Sequence, residues 1–315
     1  MIAGLGNAIV DITSFADDDF VFDFSDEKNT MVLTTQEKQK LILARLDSPN
    51  VSCGGSIANT ISSLAALGNE TLFVGSVSKD EFGEKFVSDL DEMNVKYETI
   101  FGTESGSITG TSVVLITPDA KRTMFTNLGS SVNAISPSKG ILNSVDIFLS
   151  ECYLFDSENM TNVAFDIAKN QGLKTFLSLS DSHCVERNYT TILDYLKHVD
   201  VVVGNLEEVE VLLKDVDILD FGKKHNINLF VVTDGSNPVD LYDIKNEEIV
   251  SVDAQEVEVI DTTGAGDQFL AGFVYGYSHN KSLIESVELG VKLASLVIQK
   301  QGARINLEIK HGKKI

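Results

Sequence analysis

Asp267 closes the segment Val259-Ile-Asp261-Thr-Thr-Gly264-Ala-Gly-Asp267, whose residue types and spacing suit phosphate chemistry. A short apolar run ends at Asp261, small residues follow, and a helix is expected to begin near Gly266. Gly264, Ala265 and Gly266 lack bulk, so the backbone there can approach a ligand closely. At a helix start the unpaired N–H donors and the positive end of the dipole converge, which makes an anion-binding nest. A carboxylate in the first helical turn cannot be there to hold phosphate, because like charges repel. Its chemical task is to accept a proton from a hydroxyl that attacks the phosphate. Taken alone, Gly-Ala-Gly-Asp also reads as a capped helix start, with Thr262 or Thr263 as cap and Asp267 stabilising the dipole.

The scaffold behind this segment is visible as apolar runs alternating with helical patterns. Residues 2–12 read as one buried first strand. Further strands are expected at 71–76, 147–150, 175–179, 199–203, 229–233 and 239–243. Helices are expected at 57–67, 81–93, about 157–171, 266–277 and 284–299. Strands alternating with helices predict a mostly parallel sheet covered on both faces. Two stretches break the rhythm. Residues 16–26 are a cluster of Asp and Phe, and residues 95–127 alternate apolar residues with Gly, Ser and Thr, as exposed antiparallel strands do. Both could form a small β layer beside the main domain.

Other residues that can bind or catalyse fall on these elements. Asn7 and Asp11 can share one face of the first strand, where a buried Asp needs hydroxyl partners; a turn-capping Asp is the plainer alternative. Gly54 and Gly55 precede a helix, and Asn59 near its start offers a donor and an acceptor; a tight helix entry without ligand would look the same. Asn205 and Glu208 follow the strand at 199–203 at its C-terminal end, the side on which ligands bind in open α/β sheets. Arg122 is one of few basic residues near these sites. Its guanidinium fork suits a phosphoryl group, although a surface hairpin would also place an Arg there. Gly4-x-Gly6 falls short of a dinucleotide fingerprint because Ile9 stands where the third Gly is needed. No Gly-x-x-x-x-Gly-Lys-Ser/Thr segment occurs. His183, His198, His225, His279 and His311 show no metal or catalytic spacing.

The segment ending at Asp267 resembles the second signature of the PfkB (ribokinase-like) carbohydrate and nucleoside kinases. Four other segments resemble that family in the same order. Gly4-Leu-Gly-Asn-Ala-Ile-Val-Asp11 is similar to its first strand, whose Asp holds the hydroxyls of the substrate's sugar. Cys53-Gly-Gly-Ser-Ile-Ala-Asn59 is similar to its Gly-Gly-x-x-x-Asn substrate loop. Gly204-Asn-Leu-Glu-Glu208 resembles its Asn-x-x-Glu motif, which places magnesium and phosphate, and Val232-Thr233-Asp-Gly235-Ser236 resembles its Thr-x-Gly nucleotide segment. The resemblance runs over about residues 2–305.

What it implies is an α/β fold, a three-layer αβα ribokinase-like domain with a mostly parallel sheet plus a small β-sheet lid. It also implies one kinase domain over residues 1–315, with the lid formed by about 12–45 and 95–125, and ATP and Mg2+ as cofactors. The implied roles follow the motifs. Asp267 is the base, with Gly264, Ala265, Gly266 and Arg122 at the transferring phosphate. Asn7, Asp11, Gly54, Gly55, Asn59 and Thr263 hold substrate. Asn205, Glu208, Thr233 and Gly235 hold nucleotide, with Glu208 on magnesium through water.

Within the family, Gly-Asn-Ala-Ile-Val-Asp at the start, Gly-Gly-Ser before Asn59, Lys121-Arg-Thr-Met-Phe-Thr-Asn-Leu-Gly129 and Leu177-Ser-Leu-Ser-Asp-Ser182 resemble the adenosine kinase branch. That branch implies phosphorylation of the 5′-hydroxyl of adenosine. One position departs: eukaryotic adenosine kinases usually carry Asn where this chain has Thr263, a form shared by sugar kinases and by bacterial adenosine-kinase-like members. A sugar kinase acting on ribose, fructose or a related sugar is therefore the alternative, followed by a non-catalytic binding protein. Phe15, Phe20, Phe22, Phe24, Tyr153 and Phe155 are aromatic residues that could stack on a base or close a lid.

The bulk properties agree. A chain of 315 residues with a net charge of −22 repels nucleic-acid backbones, so nucleic-acid binding is not expected. The same charge means that a bound nucleotide needs a locally positive pocket. Three widely spaced cysteines fit a reducing cytoplasm, and neither a signal peptide nor a membrane span is expected. Either a monomer or a homodimer is consistent with the sequence.

Overall fold

The apolar runs become strands buried on both faces. A computed structural model describes residues 1–101, 107–133, 140–157 and 163–305. In chain order the first strands are β1 (Ile2–Leu5), β2 (Ile9–Phe15), β3 (Met31–Leu33), β4 (Asn50–Gly54), β5 (Thr71–Val77), β6 (Lys96–Phe101) and β7 (Gly110–Ile116). They are followed by β8 (Arg122–Asn127), β9 (Ile147–Glu151), β10 (Lys174–Ser178), β11 (Val201–Asn205), β12 (Leu229–Thr233), β13 (Val239–Asp243) and β14 (Glu248–Val252). The helices are α1 (Asp18–Phe22), α2 (Gln36–Leu43), α3 (Ser56–Ala66), α4 (Glu81–Glu92), α5 (Val163–Asn170) and α6 (Ser182–Arg187). After them come α7 (Tyr189–Tyr195), α8 (Leu206–Leu213), α9 (Ile218–His225), α10 (Ala265–Ser278) and α11 (Leu283–Val297).

Among the described residues, nine strands form one sheet in the order β14-β13-β12-β11-β10-β9-β1-β5-β6. It is parallel from β6 to β12 and ends in the antiparallel hairpin β13–β14. Successive side chains leave a strand on opposite faces, so each apolar run feeds two cores. Ile2, Val201 and Val203 join α3, α4, α10 and α11 in one core. Ala3, Leu5 and Val202 join α5 to α9 in the other. The result is the three-layer α/β arrangement of a ribokinase-like fold.

A second sheet of five strands has the order β3-β8-β7-β2-β4. One face is covered by α1 and α2, through Val21, Ile42, Val113, Leu115 and Phe125. The alternate residues Arg122, Met124 and Thr126 of β8, with Ile9 and Asp11 of β2, line a cleft on the other face.

Several expectations are corrected. Residues 2–12 are two strands in two different sheets, broken at Gly6-Asn7-Ala8. Asn7 N–H donates to the Glu151 carboxylate at 2.8 Å instead of extending a ladder, so the chain leaves the large sheet there. Asn7 and Asp11 therefore do not share a strand. The stretch 95–127 also divides: β6 pairs parallel with β5 at the edge of the large sheet, whereas β7 and β8 belong to the small one. All seven residues of β7 are buried, not alternately exposed: α1 and α2 cover the face of Val113 and Leu115, and the opposite face, with Ser112, turns to the cleft. The Asp and Phe cluster at 16–26 forms α1, capped by the Asp17 side chain. The edge strand β4, absent from the expected strands, completes the small sheet. Part of the helix expected at 157–171 lies outside the described residues, and the remainder is α5.

Candidate active site

The large sheet reverses its winding order at β1: β5 and β6 lie to one side, β9 and its successors to the other. Such a switch point opens a crevice at the C-terminal strand ends. Asn7 after β1, Glu151 ending β9, Ser178 ending β10, Asn205 ending β11 and Thr233 ending β12 all line one cleft of about 380 Å³ there. That volume lies in the range of small-molecule sites, roughly 300–1,000 Å³.

The loop 261–264 enters this cleft. Asp261 is buried and organises it: Oδ1 accepts from Thr263 N at 2.8 Å and from Thr263 Oγ1 at 2.5 Å, and Oδ2 accepts from Gly302 N at 2.8 Å. Gly264 then caps α10 with φ +77°, and a Cβ there would stand 2.4 Å from the Ala303 carbonyl oxygen. Only glycine meets both demands. No side chain caps this helix start. The Ala265 N–H turns back to the Thr262 carbonyl at 3.2 Å, while a Cβ at Gly266 would meet only open space. The N-terminus of a 14-residue helix thus opens uncapped on the cleft.

Asp267 sits in its first turn and is held on both carboxylate oxygens. Ser56 Oγ donates to Oδ1 at 2.6 Å, and Asn59 Nδ2 donates to Oδ2 at 2.9 Å. Both donors come from α3, whose entry needs Gly55 as N-cap at φ +92°. Burial pushes the Asp267 carboxyl above the usual carboxylate range, opposed by the Ser56 and Asn59 hydrogen bonds and then by the charges of Arg122 and Arg304.

Of the other acidic groups that line the cleft, Asp11, Glu151 and Glu208 are raised by burial. Asp11 is pushed up to about 7, with Arg304 the strongest opposing charge. Its carboxylate makes no hydrogen bond or ion pair with any described residue, and a Cβ at Gly54 would stand 2.0 Å from its Oδ2. Glu151 is also pushed up to about 7, although it accepts from Asn7 N at 2.8 Å and Ile57 N at 2.7 Å. Glu208 is pushed up to about 7; its oxygens accept from Asn205 N at 2.9 Å and Asn205 Nδ2 at 2.8 Å. Asn205 Oδ1 accepts in return from Glu208 N at 2.9 Å, so this pair is also the capping box of α8. Arg122 reaches in from β8 and donates to the Thr262 carbonyl at 2.6 Å.

Of the residues singled out in the sequence, Asn7, Asp11, Gly55, Asn59, Arg122, Asn205, Glu208, Thr233, Thr263, Gly264, Ala265, Gly266 and Asp267 line this cleft together. Gly54 lies behind it under Asp11, and Gly235 forms a left-handed turn away from its lining. Thr263 is at the cleft, but its hydroxyl is turned to Asp261. Of the aromatics, Tyr153 lines the cleft with its hydroxyl on the Ser180 carbonyl at 3.2 Å, whereas Phe155 is core, edge-on to Tyr195. Phe20 and Phe24 pack under the small sheet, and Phe15 and Phe22 are exposed. The sequence reading missed Glu151, the hydrogen bond that Ser56 donates to Asp267, and Arg304. A Glu ending a buried strand was the available signal for the first; nothing in the spacing marks Arg304.

An uncapped helix start, a doubly held carboxylate beside it and a switch-point cleft under a second sheet define a phosphotransferase of the ribokinase-like type. The pattern of the pfkB family carbohydrate kinase matches residues 24–310, and the chain belongs to that family. A structure described as adenosine kinase from Sinorhizobium meliloti is 30% identical, with a TM-score of 0.89 over 97% of this chain and 96% of that one. A probable sugar kinase from Rhizobium etli CFN 42 is 31% identical, with a TM-score of 0.88 over 96% of this chain and 94% of that one. Among curated relatives, a ribokinase of Lactococcus lactis is 29% identical over 80% of this chain and 81% of its own length. Membership of the family implies ATP as co-substrate.

Proposed function

We propose that the chain transfers the γ-phosphoryl group of ATP to the 5′-hydroxyl of adenosine, giving ADP and AMP, with Asp267 as general base. The observation that carries the reading is the Asp267 carboxylate, fixed by Ser56 and Asn59 at the uncapped N-terminus of α10. The attacking hydroxyl oxygen forms the new P–O bond as the bond to the ADP oxygen breaks, and Asp267 takes the hydroxyl proton. The backbone around Gly264 to Gly266 and the Arg122 guanidinium stabilise charge on the transferring group. Asp11, without a partner among the described residues, takes the sugar hydroxyls in this reading, and Asn7 and Gly55 line the same cleft. Asn205, Glu208 and Thr233 line the end assigned to the nucleotide.

Magnesium fits the donor set as a water-mediated ligand: Glu208 is a cleft carboxylate whose oxygens, each with one protein hydrogen bond, keep lone pairs. When bound with the nucleotide it would neutralise phosphate charge. Substrate entry between the sheets, followed by approach of the small sheet as a lid, would keep water from competing as nucleophile.

The full-length likeness to the Sinorhizobium meliloti protein supports adenosine. Thr263 and the ribokinase relative favour a sugar as the second reading. Purified protein with ATP and adenosine, inosine, ribose or fructose separates them. Adenosine-dependent ADP release is expected; release on a sugar with none on adenosine rejects the nucleoside.

A further inference from the structure

Arg304 lies just beyond α11, in a turn clamped to the loop that opens α10. Gly302 N–H donates to Asp261 Oδ2 at 2.8 Å, and the Ala303 carbonyl accepts from Gln268 Nε2 at 2.9 Å. The backbone on which Arg304 stands is thereby tied to the nest loop and to α10. Its guanidinium reaches the other way. Nε donates to Asn59 Oδ1 at 2.9 Å on α3, and Nη1 pairs with the Asp89 carboxylate on α4.

Asn59 therefore stands in a chain of three side chains. Its carbonyl accepts from Arg304, and its amide nitrogen donates to Asp267 Oδ2. A primary amide can sit in two orientations about its last bond. One gives Asp267 a donor; the other sets an amide oxygen against a carboxylate oxygen. Arg304 Nε has a hydrogen to give and no lone pair to accept with, so it bonds only the first orientation. Asn59 is buried, and no other described residue donates to its Oδ1. Without Arg304 that oxygen would be a buried acceptor with no donor, and the orientation that serves Asp267 would lose its selection.

We propose that Arg304 is a positioning residue for phosphoryl transfer, locking the Asn59 amide in the orientation that holds Asp267 Oδ2, with Asp89 as its anchor. The proposal rests on the reading of Asp267 as the general base. The charge of Arg304 acts in the same direction. Among the charged groups facing Asp267, Arg304 and Arg122 of β8 favour its carboxylate form, while Asp11 of β2 and Glu151 of β9 repel it.

The test is steady-state kinetics with ATP and adenosine, with full pH profiles, on Arg304→Met, Arg304→Lys, Asp89→Asn and Asp267→Asn. Loss of an outer partner that orients a reacting group typically costs about 10–100-fold, and Arg304→Met is expected to lower kcat by that factor. Its acid limb should move to higher pH, because the base loses a cation, while KM for adenosine changes by less than about threefold. Arg304→Lys keeps the charge and should hold the acid limb near the wild-type position with kcat between the two. Asp89→Asn touches nothing in the cleft and should lower kcat about threefold to tenfold, which keeps the idea open to refutation if Arg304→Met does not fold. Wild-type kcat and an unmoved acid limb in Arg304→Met, or wild-type kcat in Asp89→Asn, overturns the positioning role while an inactive Asp267→Asn leaves the base in place. An active Asp267→Asn removes the base itself, and the role of Arg304 falls with it.

Discussion

Arg122 Nη1 donates to the Thr262 carbonyl at 2.6 Å, so a side chain of the small sheet closes directly onto the loop that opens α10. The bond spans 140 residues of sequence and crosses the cleft proposed for nucleotide and hydroxyl. A phosphate entering the nest would offer this guanidinium a charged acceptor in place of a neutral carbonyl, one that its planar fork can hold at two points.

Arg122→Ala is expected to reduce kcat by about 10²–10³-fold, the cost of removing one charge-stabilising donor from a reacting centre. Arg122→Lys should recover only part of this, since an ammonium lacks the planar fork. Turnover with ATP, read beside an unchanged far-UV spectrum, checks it; wild-type kcat in the Ala variant would place Arg122 outside the chemistry.

Asp11 makes a prediction about stability. Its folded-state pKa, about 7, lies above its ordinary value of 3.8, so the folded protein holds a proton there that the unfolded chain has released. The stability linked to this group is full below its ordinary pKa and is lost as pH rises through about 7. Glu151 and Glu208 contribute with the same sign. The melting temperature of the protein without substrate should therefore fall between about pH 5 and pH 8. Asp11→Asn, which no longer buries a charge, should be more stable at pH 8 by about 1–2 kcal/mol and should bind the hydroxyl substrate far more weakly. A variant less stable than wild type at that pH would contradict the argument.

Gly264 and Gly266 should respond oppositely to alanine. At Gly264 the new methyl meets the Ala303 backbone and the backbone is left-handed, so a loss of about 2–4 kcal/mol in denaturant unfolding is expected. At Gly266 nothing lies in the way, and alanine inside a helix should stabilise by about 0.5–1 kcal/mol. The same methyl faces the cleft, so Gly266→Ala should be the more stable and the less active protein. Full activity in Gly266→Ala would show that the phosphate does not approach that backbone.

Ser56→Ala removes the donor to Asp267 Oδ1. A hydrogen bond to the charged form lowers a carboxyl pKa, so its loss should raise the already elevated pKa of Asp267 further. The acid limb of kcat/KM should move to higher pH, with activity recovering above it. An unmoved limb would mean that the limb reports another group, of which Asp11 is the nearest candidate.

How far the site was readable depends on how its residues are placed along the chain. The helix start at Gly264 and the carboxylate in its first turn were legible because Gly264 to Asp267 are contiguous and a helix start has fixed geometry. Asn205 and Glu208 were legible because a strand end followed by a capped helix constrains both. Asn7 and Asp11 were recognised, yet put on one strand, because an apolar run from Ile2 to Ile12 carries no mark of a change of sheet. That change is made by Glu151, 144 residues away from Asn7. The small sheet was anticipated from two irregular stretches, but β6 was drawn into it and β4 left out, since edge pairing depends on which neighbour is free and not on local pattern.

The sequence by itself determined the layered α/β class, the order of the motifs and the glycine-rich helix start that carries Asp267 in its first turn, all properties of short contiguous segments. Only the tertiary structure decided how Asp267 is held. Ser56 and Asn59 reach it across 211 and 208 residues, and Arg304 reaches Asn59 across 245. Helical and strand periodicity report which face a residue takes within its own element. They carry no information on which distant element will pack against that face, and the donors to the Asp267 carboxylate come from there.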